Sequence, residues 1–279
     1  MITEEQKQQR KLGIGGSDTP IILGLSNYKT PYQLYCEKKG LLESSDEMSQ
    51  PQYWGNRLEN IVREEFEIRN KVTVEVPDTL IHPFYDFMRA NIDGYIKEWD
   101  SVLEVKCSTQ YMANEWGEDG SDYIPMAYLV QVAHYCSIIN APSAYIAVLI
   151  GGHDYRQYKY VRDLELEGTI INSAREFWEA VQTDSPPPPT NQFDLRMMYP
   201  QHALDKSIKI SNEIDTHFKN LSEVKNKIKE LQAIEEESRF NIMQHMNDAE
   251  CLVDDSGRPL VTWKTNKKGS RTFLLKGEK

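Results

Sequence analysis

Two short segments of alternating apolar and polar residues, joined by a polar turn, restrict the fold of this chain more than any other feature. The stretch "NIDGYIKEWDSVLEVKC" spans residues 91–107, and its side chains alternate as those of two-faced strands do. If the turn centres on Glu98 and Trp99, antiparallel pairing sets Asp93 opposite Glu104. The stretch therefore predicts a β-hairpin that holds two carboxylates about 5 Å apart at Cβ.

The same alternation assigns a face to each residue of the second strand. Glu104 and Lys106 share the face of Asp93, whereas Leu103 and Val105 point into the core. Two carboxylates this close repel each other unless a positive charge lies between them, and a hard divalent cation takes oxygen ligands. Lys106 would then orient or activate a water that attacks a phosphate, and the metal would lower the pKa of that water.

A plain cross-strand salt bridge is the alternative that this pattern leaves open. The tripeptide Glu-Val-Lys is not diagnostic by itself, because a second copy occurs at residues 223–225 inside a charged helix. The first copy differs in context. An aspartate lies on the preceding strand, the flanks are apolar, and Gly94 permits close approach beside the aspartate.

Composition limits the class of protein. Of 279 residues, 39% are hydrophobic and 27% are charged, and no uncharged stretch approaches the ~20 apolar residues of a membrane span. The start, "MITEEQKQQRK", lacks the apolar region of a signal peptide. Four widely spaced cysteines predict reduced thiols in the cytoplasm and argue against a cysteine-bound zinc or iron–sulfur cluster.

Charge is distributed unevenly. The net charge of -11 argues against nucleic-acid binding by bulk attraction. Residues 256–279, however, carry seven Lys or Arg and one Glu. A DNA-binding protein of this composition would confine its positive field to one surface.

The order of predicted elements divides the chain into three parts. Residues 1–184 read as helices, an antiparallel-rich sheet, a buried helix, a strand hairpin and a helix near 163–182, which predicts a mixed α/β domain. The stiff segment "DSPPPPT" marks a boundary, and residues 185–202 are assigned as a proline-rich linker. Residues 203–279 form an extension with a long helix, about 203–248, and a basic β-hairpin followed by a strand at 271–275.

The long helix carries a seven-residue apolar repeat. Ile214, Leu221 and Ile228 recur at this spacing, as do Val224 and Leu231. The repeat stops at Glu235, so a long coiled coil is not expected. The pattern predicts either a short coiled-coil seam or the inner face of a packed helix.

A glycine-rich stretch, "GIGGSDTPIILG" at residues 13–24, precedes a short apolar run. Glycine permits unusual φ values and close approach, Ser17 or Asp18 can cap a helix, and Pro20 suits its first turn. Backbone N–H groups at a helix start also favour an anion. Capping and anion binding both account for the pattern.

Five motifs carry a resemblance to a known family. "GGSD", "WGNRLEN", "MRANIDGYI", "LEVKC" and "YLVQVAHYC", in this order over residues 10–160, resemble the YqaJ-type viral recombinases, phage exonucleases similar to lambda exonuclease in the PD-(D/E)XK nuclease superfamily. The resemblance implies a restriction-endonuclease-like core of mixed α/β type, with the metal hairpin at the edge of its sheet, followed here by a C-terminal helical arm and a basic β-hairpin. Ile92 stands where the superfamily usually has proline.

The resemblance also implies a role for each matching residue of a metal site. Asp93 and Glu104 match the metal-binding acids, and Lys106 matches the catalytic lysine. Val105 would lend its main-chain carbonyl to a metal, and Glu59 matches a helix-borne acid that completes the metal shell. Without the family, Glu59 reads as a solvated helix acid near Arg63.

Further matches concern the attacking water and the DNA end. Gln131 matches a glutamine near the water, and Tyr135 lies one turn further on the same face; without the family both read as satisfied polar groups of a buried helix. Arg10 and Ser17 have the spacing of the arginine and serine that grip the 5′-phosphate in relatives of the lambda type. Asn91, on the face of Asp93, could add a donor.

The activity implied by the resemblance is that of a metal-dependent deoxyribonuclease. It would digest linear double-stranded DNA from 5′ to 3′ with two Mg²⁺ or Mn²⁺ ions and leave 3′ single-stranded overhangs for phage homologous recombination. The implied setting is the cytoplasm of a bacterial host, with a phage or prophage gene. The implied partners are a single-strand annealing protein of the same phage and further copies of this chain in a ring-shaped trimer.

Two other functions remain open from the sequence. One is a structure-specific endonuclease or junction resolvase built on the same core. The other is a non-catalytic DNA-end-binding assembly protein, whose carboxylate site is inert and whose long helix recruits partners.

Overall fold

The computed structural model describes residues 11–42 and 48–276. By its internal contacts the chain divides into two compact units, Met1–Gln201 and His202–Lys279. The helices of the first unit are α1 (Thr19–Ile22), α2 (Pro31–Lys38), α3 (Gln50–Asn70), α4 (Met126–Ile139), α5 (Leu164–Gln182) and α6 (Gln192–Met198). Its strands are β1 (Val74–Glu75), β2 (Leu80–Ile81), β3 (Arg89–Ala90), β4 (Gly94–Ile96), β5 (Ser101–Ser108), β6 (Ser143–Ile150) and β7 (Asp154–Val161).

A mixed five-stranded sheet forms the centre of the first unit, in the order β1-β4-β5-β6-β7. Strands β5 and β6 pair in parallel over their whole length, and the other neighbours pair antiparallel. A parallel pair needs a crossover connection, which α4 provides between β5 and β6. Strands β2 and β3 form a separate two-stranded ladder. The mixed α/β fold predicted from the order of elements is confirmed.

The hairpin of β4 and β5 has the predicted register. Gly94 pairs with Leu103 and Ile96 pairs with Ser101. Continued by one residue, this register sets Asp93 against Glu104. The connection is a 3-10 turn, Lys97–Trp99, closed by Asp100 in the left-handed region at φ 49°. A Cβ at Gly94 would overlap the Val74 side chain, so a larger residue after Asp93 would displace Val74, and glycine lets β1 lie close to β4.

Helices cover both faces of the sheet. Helix α4 is almost entirely apolar, and its buried residues pack on the face that carries Val102 and Ile146. Helix α3 begins with a capping box formed by Ser49 and Gln52. Its buried side chains Val62 and Phe66 pack on the opposite face of the sheet, against a cluster that includes Leu103 and Val105. The alternation that sends Leu103 and Val105 into this cluster leaves Glu104 facing α4.

The stretch assigned as a linker contains a helix and belongs to the first unit. Asn191 caps α6, and the buried carboxylate of Asp194 accepts hydrogen bonds from the Thr30 hydroxyl at 2.8 Å and from the Thr190 amide at 2.9 Å. This carboxylate ties α6 to the cap of α2. The division between the units comes after the proline run, at residues 201–202.

The second unit combines a long helix with a three-stranded sheet. Helix α7 (Asn212–Met246) starts nine residues later than predicted, because Ser211 supplies the cap. Strands β8 (Cys251–Val253), β9 (Pro259–Thr265) and β10 (Arg271–Leu275) follow, in the sheet order β10-β9-β8. Met246 and Val261 are buried, and Arg239 of α7 lies 5.0 Å from the centre of the Phe273 ring. Among the described residues, no helix combines the length and apolar character that crossing a membrane requires.

Candidate active site

The hairpin brings two acids and a lysine together, as its register requires. The Asp93 carboxylate accepts a hydrogen bond from the Val105 amide at 2.8 Å, which fixes it against β5. The Glu104 side chain is only 3% exposed, and its Oε1 forms an ion pair with Lys106 Nζ. The Asp93 and Glu104 carboxyl groups interact electrostatically. The structure thus places all three residues at one point of the sheet.

Burial and repulsion shift the pKa values of both carboxyl groups. Burial, followed by the Asp93 charge, raises the pKa of Glu104 well above its ordinary value. Burial also raises the pKa of Asp93, although Lys106 and the Val105 amide favour its charged form. Burial alone would lower the pKa of Lys106, but the Glu104 and Asp93 charges together raise it. The site therefore holds its lysine as a cation and disfavours the full negative charge of its acids.

Helix α3 brings a third acid to the same region. Glu59 lies near Asp93, and burial together with the Asp93 charge raises the pKa of Glu59. Arg63, one turn further on, lies 3.7 Å from the Glu59 carboxylate and donates a hydrogen bond of 3.1 Å to the Asp93 carbonyl. The two interpretations of Glu59 therefore coincide, since it pairs with Arg63 and also faces the hairpin acids. The sequence did not predict the contact of Arg63 with the Asp93 carbonyl.

Helix α4 contributes a hydrogen-bonded pair above Glu104. The Gln131 amide group donates to Glu104 Oε1 at 2.6 Å and to the Tyr135 hydroxyl at 2.9 Å. Tyr128, three residues before Gln131, lies with its ring centre 5.2 Å from Lys106 Nζ. Both expected residues of α4 thus reach the site. Tyr128 is a further contact that the sequence analysis missed, although its spacing from Gln131 puts it on the same helix face.

The glycine-rich stretch forms one wall of a small cleft beside this pair. The cleft is lined by Gly13, Gly15, Gly16, Ser17, Asp18, Arg89, Asn91 and Tyr135. The glycines here serve close approach. A Cβ at Gly13 would overlap the Phe87 carbonyl, and one at Gly16 would overlap the Tyr135 ring. In this stretch only Gly24 has a positive φ. The expected unusual φ values are therefore absent at Gly13, Gly15 and Gly16.

Asp18 stabilises the loop in a different way from the predicted cap. It occupies the N-cap position of α1 without a capping hydrogen bond. Its carboxylate instead accepts from the Gly15 amide at 2.9 Å and from Lys38 Nζ at 2.6 Å. The carboxylate is therefore occupied by Lys38, and Ser17 is left to face the cleft.

The cleft joins the site of the two acids through shared residues. Tyr135 lines the cleft and accepts the hydrogen bond of Gln131. Asn91 lines it as well, and its side-chain oxygen accepts a 2.6 Å hydrogen bond from Thr79. Arg89 was missed in the sequence, although it lies two residues before Asn91, a spacing that puts two side chains on the same side of an extended segment. Arg10 lies outside the described residues.

The donor set fits a hard divalent cation. In the part of the chain that the structure describes, no three Asp, Glu, His or Cys side chains enclose a ready-made metal site. Glu104 Oε2 is nevertheless buried without a hydrogen-bond partner among the described residues, and the Asp93 charge raises the pKa values of both Glu104 and Glu59. Oxygen donors with uncompensated charge are the ligands that Mg²⁺ and Mn²⁺ prefer.

Comparisons with known proteins identify similar sequences and folds. The family model described as the YqaJ-like viral recombinase domain matches residues 5–142. The uncharacterized protein YqaJ of Bacillus subtilis (strain 168) is 34% identical over 258 residues, which cover 90% of this chain and 80% of that protein.

Solved structures are similar in fold to about two thirds of this chain. The alkaline exonuclease LHK-Exo from Laribacter hongkongensis matches with a TM-score of 0.53 and 16% identity, over 66% of this chain and 94% of that one. The structure of LHK-Exo in complex with dAMP matches with a TM-score of 0.52 and 15% identity, over 65% and 94% of the two chains. These likenesses show a fold of the PD-(D/E)XK type. The chain belongs to the YqaJ-like viral recombinase domain family.

Proposed function

We propose that this protein is a metal-dependent exonuclease that degrades linear double-stranded DNA from 5′ to 3′ and leaves 3′ single-stranded overhangs for phage homologous recombination. The observation that carries the proposal is the meeting of Asp93, Glu104 and Lys106 on one hairpin, with Glu59 beside them. Relatives described as a viral recombinase domain and alkaline exonucleases support it.

Each residue of the site has a part in this chemistry. Asp93, Glu104, the Val105 carbonyl and Glu59 would hold two ions, Mg²⁺ or Mn²⁺, which supply a lowered pKa for water and charge stabilisation for the leaving oxygen. Lys106 keeps a positive charge beside Glu104 and can hold the attacking water or neutralise the phosphate. Gln131 is fixed between Glu104 and Tyr135 and can orient the same water.

The cleft beside the site suits the end of a DNA strand. Ser17, Asn91 and Tyr135 line it with hydrogen-bonding groups, and Arg89 adds a cation. An arginine and hydroxyl or amide donors bind phosphate in this way. We assign the 5′-phosphate to this cleft, with Arg10 as a further ligand. We also propose a single-strand annealing protein of the same phage as partner, and assembly into a ring of three subunits in the bacterial cytoplasm.

The activity is tested on three duplex substrates: 5′-phosphorylated linear DNA, 5′-hydroxyl linear DNA and a covalently closed circle, each with Mg²⁺ and with EDTA. Labels at the 5′ or the 3′ end report the polarity. We expect nucleotide release from the 5′ end of the phosphorylated duplex with Mg²⁺ alone, slower release from the 5′-hydroxyl duplex, and an intact circle.

The variant Lys106→Ala is expected to lose release and to keep binding to duplex ends. Lys97→Ala is the matched control, because Lys97 is an exposed lysine on the same hairpin. Circular dichroism checks that both variants fold. Cleavage of the circle would instead support an endonuclease or resolvase. End binding without release by the unaltered protein would support an assembly protein, and undiminished release by Lys106→Ala would refute the proposed chemistry.

A further inference from the structure

The second unit leaves an apolar stripe of its long helix uncovered. The stripe, here called the α7 seam, consists of Ile214, Leu221, Val224, Ile228 and Leu231, each between 49% and 64% exposed. The seven-residue spacing puts them on one side of α7, at the two positions of each repeat that face a partner helix in a coiled coil. His217 fills the one position of this pattern that is not apolar. Of the two alternatives for this pattern, the structure favours the coiled-coil seam over the inner face of a packed helix.

The order of residues in the α7 seam suits an antiparallel copy of itself. With Leu221 set against Val224 of the second copy, Ile214 meets Leu231, and His217 meets Ile228. Every layer then contains at least one large apolar side chain. Parallel pairing would set His217 against His217 and, one turn beyond Leu231, bring two copies of Glu235 together.

Charge follows the same antiparallel order. Residues 213–223 carry three acids and one lysine, and that lysine, Lys219, is paired with Asp215 at 2.7 Å. Residues 224–234 carry three lysines and one acid. Antiparallel helices place the acidic half beside the basic half and also oppose their dipoles, whereas parallel helices align like with like.

We propose that a second copy of this chain binds along the α7 seam, with residues 214–231 of the two helices antiparallel and Leu221 packed against Val224. The seam spans 18 residues in each copy. Because the seam is short for a coiled coil, we expect the association to depend on protein concentration. This two-fold association would be additional to any subunit contact made by the first unit. The inference does not depend on the proposed nuclease activity.

The assembly is tested by light scattering of the full-length protein over a range of concentrations. The variant Leu221→Lys places a charge in the seam, and Asn226→Lys places the same charge on the opposite side of the same helix. At the highest concentration, where the association is most complete, we expect the molar mass of Leu221→Lys to approach half of the wild-type value, and that of Asn226→Lys to equal the wild-type value. Equal masses for the wild type and Leu221→Lys would overturn the proposal.

The orientation is tested by oxidative cross-linking. A mixture of chains carrying Leu221→Cys and chains carrying Val224→Cys is expected to give a disulfide between positions 221 and 224, mapped by mass spectrometry of the peptides. Leu221→Cys alone is expected to give no link between two copies of position 221. A link of that kind would overturn the antiparallel arrangement, and the wild type, with its exposed Cys107, is the background control.

Discussion

Acid is expected to destabilise the first unit through His134. This histidine is fully buried in α4 and connects that helix to two other segments: its Nε2 lies 3.0 Å from the Arg89 carbonyl of β3, and its Nδ1 lies 3.1 Å from the Thr19 hydroxyl of α1. Because a carbonyl can only accept, Nε2 carries the proton and Nδ1 accepts from Thr19. The neutral ring therefore satisfies both contacts, and a second proton would charge it in an apolar interior.

The size of the effect follows from the pKa of His134. Burial lowers this pKa from 6.5 to about 4. Between pH 4 and pH 6.5 the unfolded chain therefore binds a proton at His134 that the folded chain does not bind. The contribution of His134 to the free energy of unfolding is complete above pH 6.5 and is lost as the pH falls toward 4. A difference of about 2.5 pKa units corresponds to about 3 kcal/mol of unfolding free energy.

The assay compares wild type with His134→Gln in EDTA, by urea unfolding at pH 7.5 and pH 4.5. Glutamine offers one donor and one acceptor and does not titrate. Carboxyl groups titrate in both proteins, so the difference between the two pH profiles isolates His134. We expect the wild type to lose about 2.5 kcal/mol more than the variant between these pH values. Parallel profiles would refute the assignment of a buried neutral histidine.

Three further substitutions test other parts of the account. Gly16→Ala should lower nucleotide release, because the added methyl group displaces the Tyr135 ring. The control Gly55→Ala should leave release unchanged, because a Cβ there meets nothing within 4 Å. Equal activities of the two variants would contradict the close approach of Gly16 to Tyr135. Gln131→Leu should lower kcat about 10- to 100-fold while Mn²⁺ still binds, because Gln131 orients the metal ligand Glu104 without binding the metal itself. Loss of Mn²⁺ binding would instead make Gln131 a part of the metal site. Glu167→Ala should lower the free energy of unfolding in urea by about 3 kcal/mol, because it leaves Arg162 without its paired carboxylate at 2.8 Å. The control Glu176→Ala, on the exposed side of α5, should lower it by less than about 0.5 kcal/mol. An equally small loss for Glu167→Ala would count against the buried ion pair.

The parts of the fold that the sequence predicts well are those set by local spacing. The β4–β5 register follows from a short turn and a period of two, and it decides that Asp93, Glu104 and Lys106 converge. The face of Gln131 and Tyr135 follows from a helical turn of four residues.

Features that depend on contacts far apart in the chain are harder to predict. The contact of Arg63 with the Asp93 carbonyl joins residues 30 positions apart, and that of Asp194 with Thr30 joins residues 164 apart. The contact of Asp194 with Thr30 ties down α6, which lies in a stretch whose prolines predict a linker. The role of the glycines also depends on distant partners, because only the folded chain brings Phe87 and Tyr135 against Gly13 and Gly16.

Binding of Mn²⁺ tests most directly whether the buried acids form a metal site. Electron paramagnetic resonance counts bound Mn²⁺ in the wild type, in Glu104→Gln and in Glu223→Gln, whose glutamate precedes the same Val-Lys pair on the exposed face of α7. We predict that Glu104→Gln loses at least tenfold in Mn²⁺ affinity and that Glu223→Gln binds as the wild type does. Equal affinity in all three proteins would contradict a metal site at the hairpin.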